Sequence, residues 1–360
     1  MKQLYALLFV CLLNSCANIV PPTGGEKDSL APDLLSIYPE NFTTQFKNNQ
    51  IYFSFDENID FNNWKENFYT SPPVKEPFKT EIKKRNLILT IPDSLDEKTT
   101  YCINLDNCIK DVNEGNVLSD LKYLFSTSNE IDTLTINGEI LDAYSLAPEN
   151  KIWVLLYDIS ISDSLVFNSQ PKYVARTNID GKFCFPNLPN KKYRIYAISG
   201  DNFQLNDINK KVGFYKKNVI GGGVENITLY LFNSKSDTVL EDSLLSISTI
   251  ENIDALTNTD IITSNLTLIL GEKLPIIVSL LKENNLVIKQ YFQDSIIKIE
   301  KIPPGEYDIK FVIDENHNKI WDTGNLYLKI LPEKVLHYPE KILIRSNWDL
   351  ELNWEINSLK

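Results

Sequence analysis

The sequence predicts an all-β chain of tandem β-sandwiches, and three observations carry that prediction. Runs such as Ile51-Tyr-Phe53-Ser-Phe55, Leu87-Ile-Leu89-Thr-Ile91 and Tyr101-Cys-Ile103-Asn-Leu105 alternate with period two. That period sends one set of side chains into a core and the other into solvent. Turn residues separate such runs every 8 to 15 positions, the rhythm of antiparallel sandwiches. Long amphipathic helical patterns are missing; residues 61–69 have room for one short turn of helix.

The chain opens on a different signal. Lys2 supplies a positive charge, and Leu4 to Leu13 is an almost wholly apolar run. The run is too short to span a bilayer, which takes roughly 20 residues. A charged start, a short apolar stretch and a small residue before a cut describe a secretory signal peptide over residues 1–15. Leu13, Ser15 and Cys16 stand at minus three, minus one and plus one of that cut, and together they resemble the bacterial lipobox. Cys11 fits less well, because Val10 before it is not small. The resemblance implies acylation of Cys16 on sulfur and nitrogen, with palmitate-type chains. Two or three chains anchor firmly, each buried methylene contributing about 0.8 kcal/mol. Residues 16–30 then read as a tether: Pro21, Pro22, Gly24 and Gly25, with few apolar groups, keep a segment extended and solvated.

About 345 residues follow the cut, enough for two or three domains, and 43% hydrophobic residues supply proper cores. The net charge of −12 argues against nucleic acid and against anionic lipid as partners. Of the five cysteines, Cys102, Cys108 and Cys184 remain beyond the lipid residue, an odd number that makes no complete disulfide framework. Cys102 and Cys108 can pair if a turn joins them; otherwise all three are free thiols. Cys102 has the solvent-side parity of its strand.

The first folded unit spans residues 31–128. Phe53, Phe55, Leu89, Ile91, Tyr101, Ile103 and Phe125 form its expected inter-sheet core. Five stretches mark it: Pro32-Asp-Leu-Leu-Ser36 before Pro39, the strand Phe55-Asp-Glu57, Thr100-Tyr-Cys-Ile-Asn104, Ile109-Lys-Asp-Val-Asn-Glu-Gly-Asn116, and Phe125-Ser-Thr127. Jointly these resemble the SbsA-type bacterial Ig-like domain of Bacteroidetes lipoproteins. Those proteins also begin with a lipobox and a Pro-Pro-Thr-Gly-Gly tether.

The second unit spans 132–233 and the third 262–357, with a Ser-, Thr- and Asp-rich linker over 234–261. A repeat offset by 114 connects the two units: Phe183 to Ile198 against Ile297 to Val312, each a strand, a Leu/Ile-Pro turn and a Tyr-x-Ile strand. The pattern resembles the transthyretin-like, carboxypeptidase-regulatory-like small sandwich. There Asp180-Gly181 would be a hairpin turn, with glycine supplying positive φ.

One stretch has metal-ligand spacing. Asp314, Asn316, Asn318, the Ile320 carbonyl and Asp322 stand at positions 1, 3, 5, 7 and 9 of a calcium-type loop. Lys319 occupies the position that usually holds glycine, and Asn325 the position of the bidentate glutamate. The alternative is a polar hairpin whose Asp and Asn side chains satisfy local backbone groups. Weakly bound calcium is therefore the one candidate cofactor. The stretch also resembles an Asp-x-Asn-x-Asn-x-x-Trp-Asp-x-Gly segment of the lipoprotein family.

Other signals are weaker. Gly221-Gly-Gly lacks the Lys-Ser/Thr of a phosphate loop and reads as a bulge or loose hairpin. Asp56, Glu57 and Asp60 read as a solvated strand end rather than a glycosidase pair. Trp348, Trp354 and Phe292 are candidates for a sugar-binding face, or for strand-edge packing. The two histidines, His317 and His337, have no cysteine beside them for zinc, and no nucleophile or zincin motif is present. The expectation is a non-enzymatic, lipid-anchored cell-envelope protein. Its sandwiches would bind an unidentified protein or glycan or serve envelope assembly; the alternative is a carbohydrate-binding surface lipoprotein. Ala17 to Val20 carries no acidic export signal after Cys16, which favours the periplasmic face of the outer membrane.

Overall fold

The computed structural model describes residues 27–92, 95–207, 209–223, 226–234 and 263–354. Cys16, the leader and most of the 234–261 linker lie outside the described residues. The strands fall into three groups, each around its own core.

The first group holds β1 (Leu34–Tyr38), β2 (Gln50–Phe55), β3 (Ile59–Phe61), α1 (Trp64–Asn67), β4 (Tyr69–Ser71), β5 (Lys79–Lys83), β6 (Asn86–Thr90), β7 (Thr100–Asn104), β8 (Ile109–Asp111), β9 (Val117–Leu118) and β10 (Lys122–Ser126). One sheet runs β1-β2-β6-β5, a second β10-β7-β4, and a small third β3-β8-β9. The seven expected core residues are all buried, none more than 6% exposed. The one-turn helix α1 falls inside the 61–69 window that allowed it. In the Ile-Lys-Asp motif, Asp111 is buried and accepts backbone N–H bonds from Glu114 (2.6 Å), Gly115 (3.0 Å) and Asn116 (2.6 Å). It thereby pins the turn that follows it.

Strand β7 departs from the alternation. All five of its residues are buried, and Cys102 is only 8% exposed. The expectation of a solvent-side Cys102 is corrected. Parity names a face correctly, but here that face is covered by the second group of strands.

The second group holds β11 (Leu134–Asp142), β12 (Trp153–Asp158), α2 (Asp163–Val166), β13 (Tyr173–Arg176), β14 (Lys182–Leu188), β15 (Lys192–Ile198), β16 (Lys211–Phe214), β17 (Val219–Ile220) and β18 (Ile227–Asn233). The order is β13-β12-β15-β16-β18-β11-β14, with β17 beside β15. Strand β11 pairs antiparallel with β14 and parallel with β18. At Gly138 a Cβ would come within 2.2 Å of the Ile227 carbonyl oxygen and 2.6 Å of the Phe183 ring, so only glycine lets these strands meet there. Gly181 has φ +72°, as the turn requires. The flanking strands differ from the expected hairpin: β13 pairs with β12 and β14 with β11, so the turn passes between different edges of the sheet.

The third group holds β19 (Ser264–Ile269), β20 (Ile276–Lys282), β21 (Asn285–Phe292), β22 (Ile296–Ile302), β23 (Gly305–Ile313), β24 (Val335–His337), β25 (Ile342–Ile344) and β26 (Leu350–Asn353). Its sheets are β22-β19-β26 and β21-β20-β23-β24, with β25 also on β23. The repeat has a topological counterpart. Strand β19 pairs antiparallel with β22 and parallel with β26, as β11 does with β14 and β18.

Candidate functional site

The 314–333 loop is where the sequence placed metal-type chemistry. Asp314, directly after β23, is fully buried and accepts backbone N–H bonds from Asn318 (3.2 Å) and Lys319 (2.8 Å). Asp322 accepts from the side-chain amides of Asn316 (2.6 Å) and Asn318. The Asn316 and Asn318 oxygens accept the backbone N–H groups of Asn318 (3.0 Å) and Ile320 (2.9 Å). The spacing thus produces a chain of local side-chain-to-backbone bonds, with both amide nitrogens turned towards Asp322. The Ile320 side chain points to solvent. A cation at this point would need both amides to rotate and present oxygen.

Sequence spacing missed Glu333. This carboxylate accepts from the backbone of Glu315 (2.9 Å) and Asp322 (3.0 Å) and lies buried beside the loop. Burial pushes it above the usual carboxylate range, and the charges of Asp314 and Asp322 add to the rise, against the two backbone donors. It stands eleven residues beyond Asp322, outside the loop frame, so spacing gave no signal for it. Among the described residues, no three His, Cys, Asp or Glu side chains are grouped to hold a metal ion.

The same loop joins the third group to the second. Trp321 packs on Tyr144 (centroids 5.0 Å apart) and donates to the Glu333 carbonyl (3.0 Å). Leu326 is 1% exposed and belongs to a core otherwise built by the second group, among Tyr196, Phe214 and Phe232. Tyr327 stacks on Phe167 at 4.8 Å. Lys329 lies over Tyr196 (4.2 Å), and burial holds its ammonium below the usual lysine range. Gly324 permits the approach: a Cβ there would be 2.6 Å from Phe232.

The first and second groups meet differently. Tyr69 packs edge-on to Trp153 at 5.3 Å, the Ser71 hydroxyl accepts from the Val174 backbone (3.1 Å), and Arg176 donates to the Glu66 carbonyl. Beside these contacts lies an open cleft of about 910 Å³. One wall is the cross-strand row Tyr69, Asn104, Lys122; the other carries Asn137, Glu139 and Lys182. Amides and charges of both signs suit a polar, uncharged ligand better than an apolar one.

The remaining candidates scatter. Trp354 packs on Phe311 (4.7 Å) and Tyr338 (5.6 Å), and Phe292 packs at the edge of the third core, whereas Trp348 is 66% exposed. Asp56 caps the Asp33 backbone at 2.9 Å, and Asp60 accepts from the Phe61 N–H (2.8 Å). Cys108 is sealed in the first core while Cys102 sits on the outer face of β7; both are free, as is Cys184. The possible Cys102–Cys108 bond is not formed.

Residues 28–127 match the bacterial Ig-like domain family. No curated protein matches the chain. Among solved structures, the TIE protein of Bacillus anthracis is 11% identical over 93% of this chain and 59% of that one, with a TM-score of 0.19. The N-terminal part of the bacterial S-layer protein SbsC is 12% identical over 57% of this chain and 45% of that one, with a TM-score of 0.20. A DUF3823 family protein from Bacteroides uniformis is 13% identical over 59% of this chain and 100% of that one, with a TM-score of 0.20. The chain thus spans less than two thirds of the first two neighbours.

Proposed function

We propose that this chain is a non-enzymatic, lipid-anchored cell-envelope protein whose linked β-sandwiches serve as a scaffold for binding or envelope assembly. The observation that carries this reading is the interlocking of successive groups. Leu326 and Tyr327 of the third insert among side chains of the second, and Tyr69 of the first meets Trp153 of the second. Such contacts transmit position from one unit to the next, which suits a scaffold more than free-swinging modules. The Leu13–Cys16 lipobox and the Pro/Gly tether supply anchor and reach. Among the described residues no helix is long and apolar enough to cross a membrane.

The periplasmic face of the outer membrane is the favoured location, from the absence of acidic residues at 17–20. Protease treatment of intact cells carrying a tag after Lys360 tests it, with a lysed control. Protection until lysis supports the periplasmic face; loss of the tag on intact cells places the sandwiches outside. Recovery of the protein in the soluble fraction would sink the anchoring itself.

The cleft favours a second reading, capture of a glycan, since amide side chains satisfy both donor and acceptor needs of sugar hydroxyls. Calorimetric titration with a panel of neutral oligosaccharides tests it. Weak calcium binding at Asp314, Asn316, Asn318, the Ile320 carbonyl and Asp322, with Glu333 adjoining, is a further part of the proposal.

A further inference from the structure

The two thiols nearest the first joint belong to different groups of strands. Strands β7 and β14 lie side by side, with Cα atoms within 8 Å of each other. At one end Thr100 bonds the Asp132 carboxylate (2.9 Å), and the Asp132 carbonyl accepts from the Asn187 amide (2.8 Å). At the other end Asn104 and Lys182 line the same cleft. The strands therefore run in opposite directions past one another, and Cys102, midway along β7, falls opposite Cys184. The faces agree. Phe183 and Phe185 turn into the second core, which turns Cys184 outward, where it lines the cleft. Cys102 shares its cross-strand row with Ser71, whose hydroxyl accepts from the Val174 backbone across the joint.

We infer that Cys102 and Cys184 are a cross-linking site, able to form a disulfide that bonds the Ig-like unit to the second sandwich. The chemistry is ordinary exchange with a small-molecule disulfide such as oxidised glutathione. The exposed Cys184 thiol loses its proton, and its thiolate attacks the disulfide, giving a mixed disulfide and releasing one glutathione thiolate, which takes up a proton. The Cys102 thiolate then displaces the second glutathione from Cys184. Two protein thiols are oxidised, one small disulfide is reduced to two thiols, and no other electron acceptor is needed. Burial raises both thiols, and the charge of Lys122 beside both sulfurs offsets part of that rise. Burial pushes the Cys102 thiol up to about 11, which makes it the slower, second reactant.

The test incubates the full folded chain with oxidised glutathione, followed by proteolysis without reductant and mass spectrometry. The expected product is a peptide pair joining Cys102 to Cys184. It persists in Cys108→Ser, disappears in Cys184→Ser (an exposed position that leaves the fold intact), and raises the thermal midpoint by roughly 5 °C until reductant is added. Arrest at glutathione on Cys184 with Cys102 still free would overturn the inference. So would a Cys102–Cys108 product, or unreacted thiols in the folded chain when the denatured chain reacts.

Discussion

At the first joint an edge-to-face Tyr69–Trp153 contact and a few hydrogen bonds hold two complete units together beside an open polar cleft. At the second joint the contact is a shared core, in which Leu326 is buried among Tyr196, Phe214 and Phe232 of the neighbouring unit. The first is a contact between finished surfaces, with room for a ligand. The second is part of the folding of both units, since removing the loop would uncover apolar rings. Both joints hold position in the native chain; under denaturant the first is expected to separate before the second, across which unfolding is cooperative.

The largest effect should come from Leu326→Ala. A large-to-small change at so buried a site costs about 3 kcal/mol. Chemical denaturation should show that loss in the second unit although the residue belongs to the third. A loss confined to the third unit would break the comparison.

Acid should act next, within the second unit. Burial works against the charge of Asp142, but hydrogen bonds from Lys211 and Ser145 outweigh it and hold the carboxyl at about 2. An unfolded aspartate titrates near 3.9. The contribution is therefore fully present above about pH 4 and is lost as pH falls towards about 2. In Asp142→Asn, which should cost about 2 kcal/mol at neutral pH, that acid-dependent part of the melting curve should disappear.

Smaller still is the first joint. A double-mutant cycle on Tyr69→Ala and Trp153→Ala should return about 1 kcal/mol of coupling, the worth of one aromatic pair. A value near zero would mean that this aromatic pair does not hold the joint and that its hydrogen bonds and the covered face of β7 do.

The smallest expected net change is Glu333→Gln without metal: one backbone N–H loses its acceptor, at about 1 kcal/mol, and relief of the crowding with Asp314 and Asp322 offsets part of it. Glu333 has the opposite sign to Asp142. Its folded value is raised, so its contribution is present below the ordinary glutamate value and fades as pH rises past it. Calcium would offset that crowding of carboxylates. Titration to millimolar calcium should shift Trp321 emission in the native chain and leave Glu333→Gln unchanged; a flat response in both would remove calcium from the account.

How much of this was readable in the residues follows the same division. Alternation found the strands, and placed Phe53, Leu89 and Ile103 in the first core, because period two is a local property. The 114-residue offset found the repeat, because a Pro-turned pair of strands is also local. Both joints escaped. Alternation puts Cys102 on the solvent side, because no local pattern records which neighbour covers a face. Glu333 escaped because its partners Glu315 and Asp322 are brought to it by the return of the loop. Leu326 stands one residue past the polar run that spacing marks for metal, and its burial depends on Phe232, far back in the chain.

The most direct measurement is the mass of the N-terminal peptide of the mature protein, taken from cell membranes. An anchored scaffold predicts a chain beginning at Cys16 and carrying two or three acyl groups, with Cys16→Ala releasing the protein from the membrane. A chain that retains residues 1–15, or begins at Cys16 without acyl groups, would contradict it.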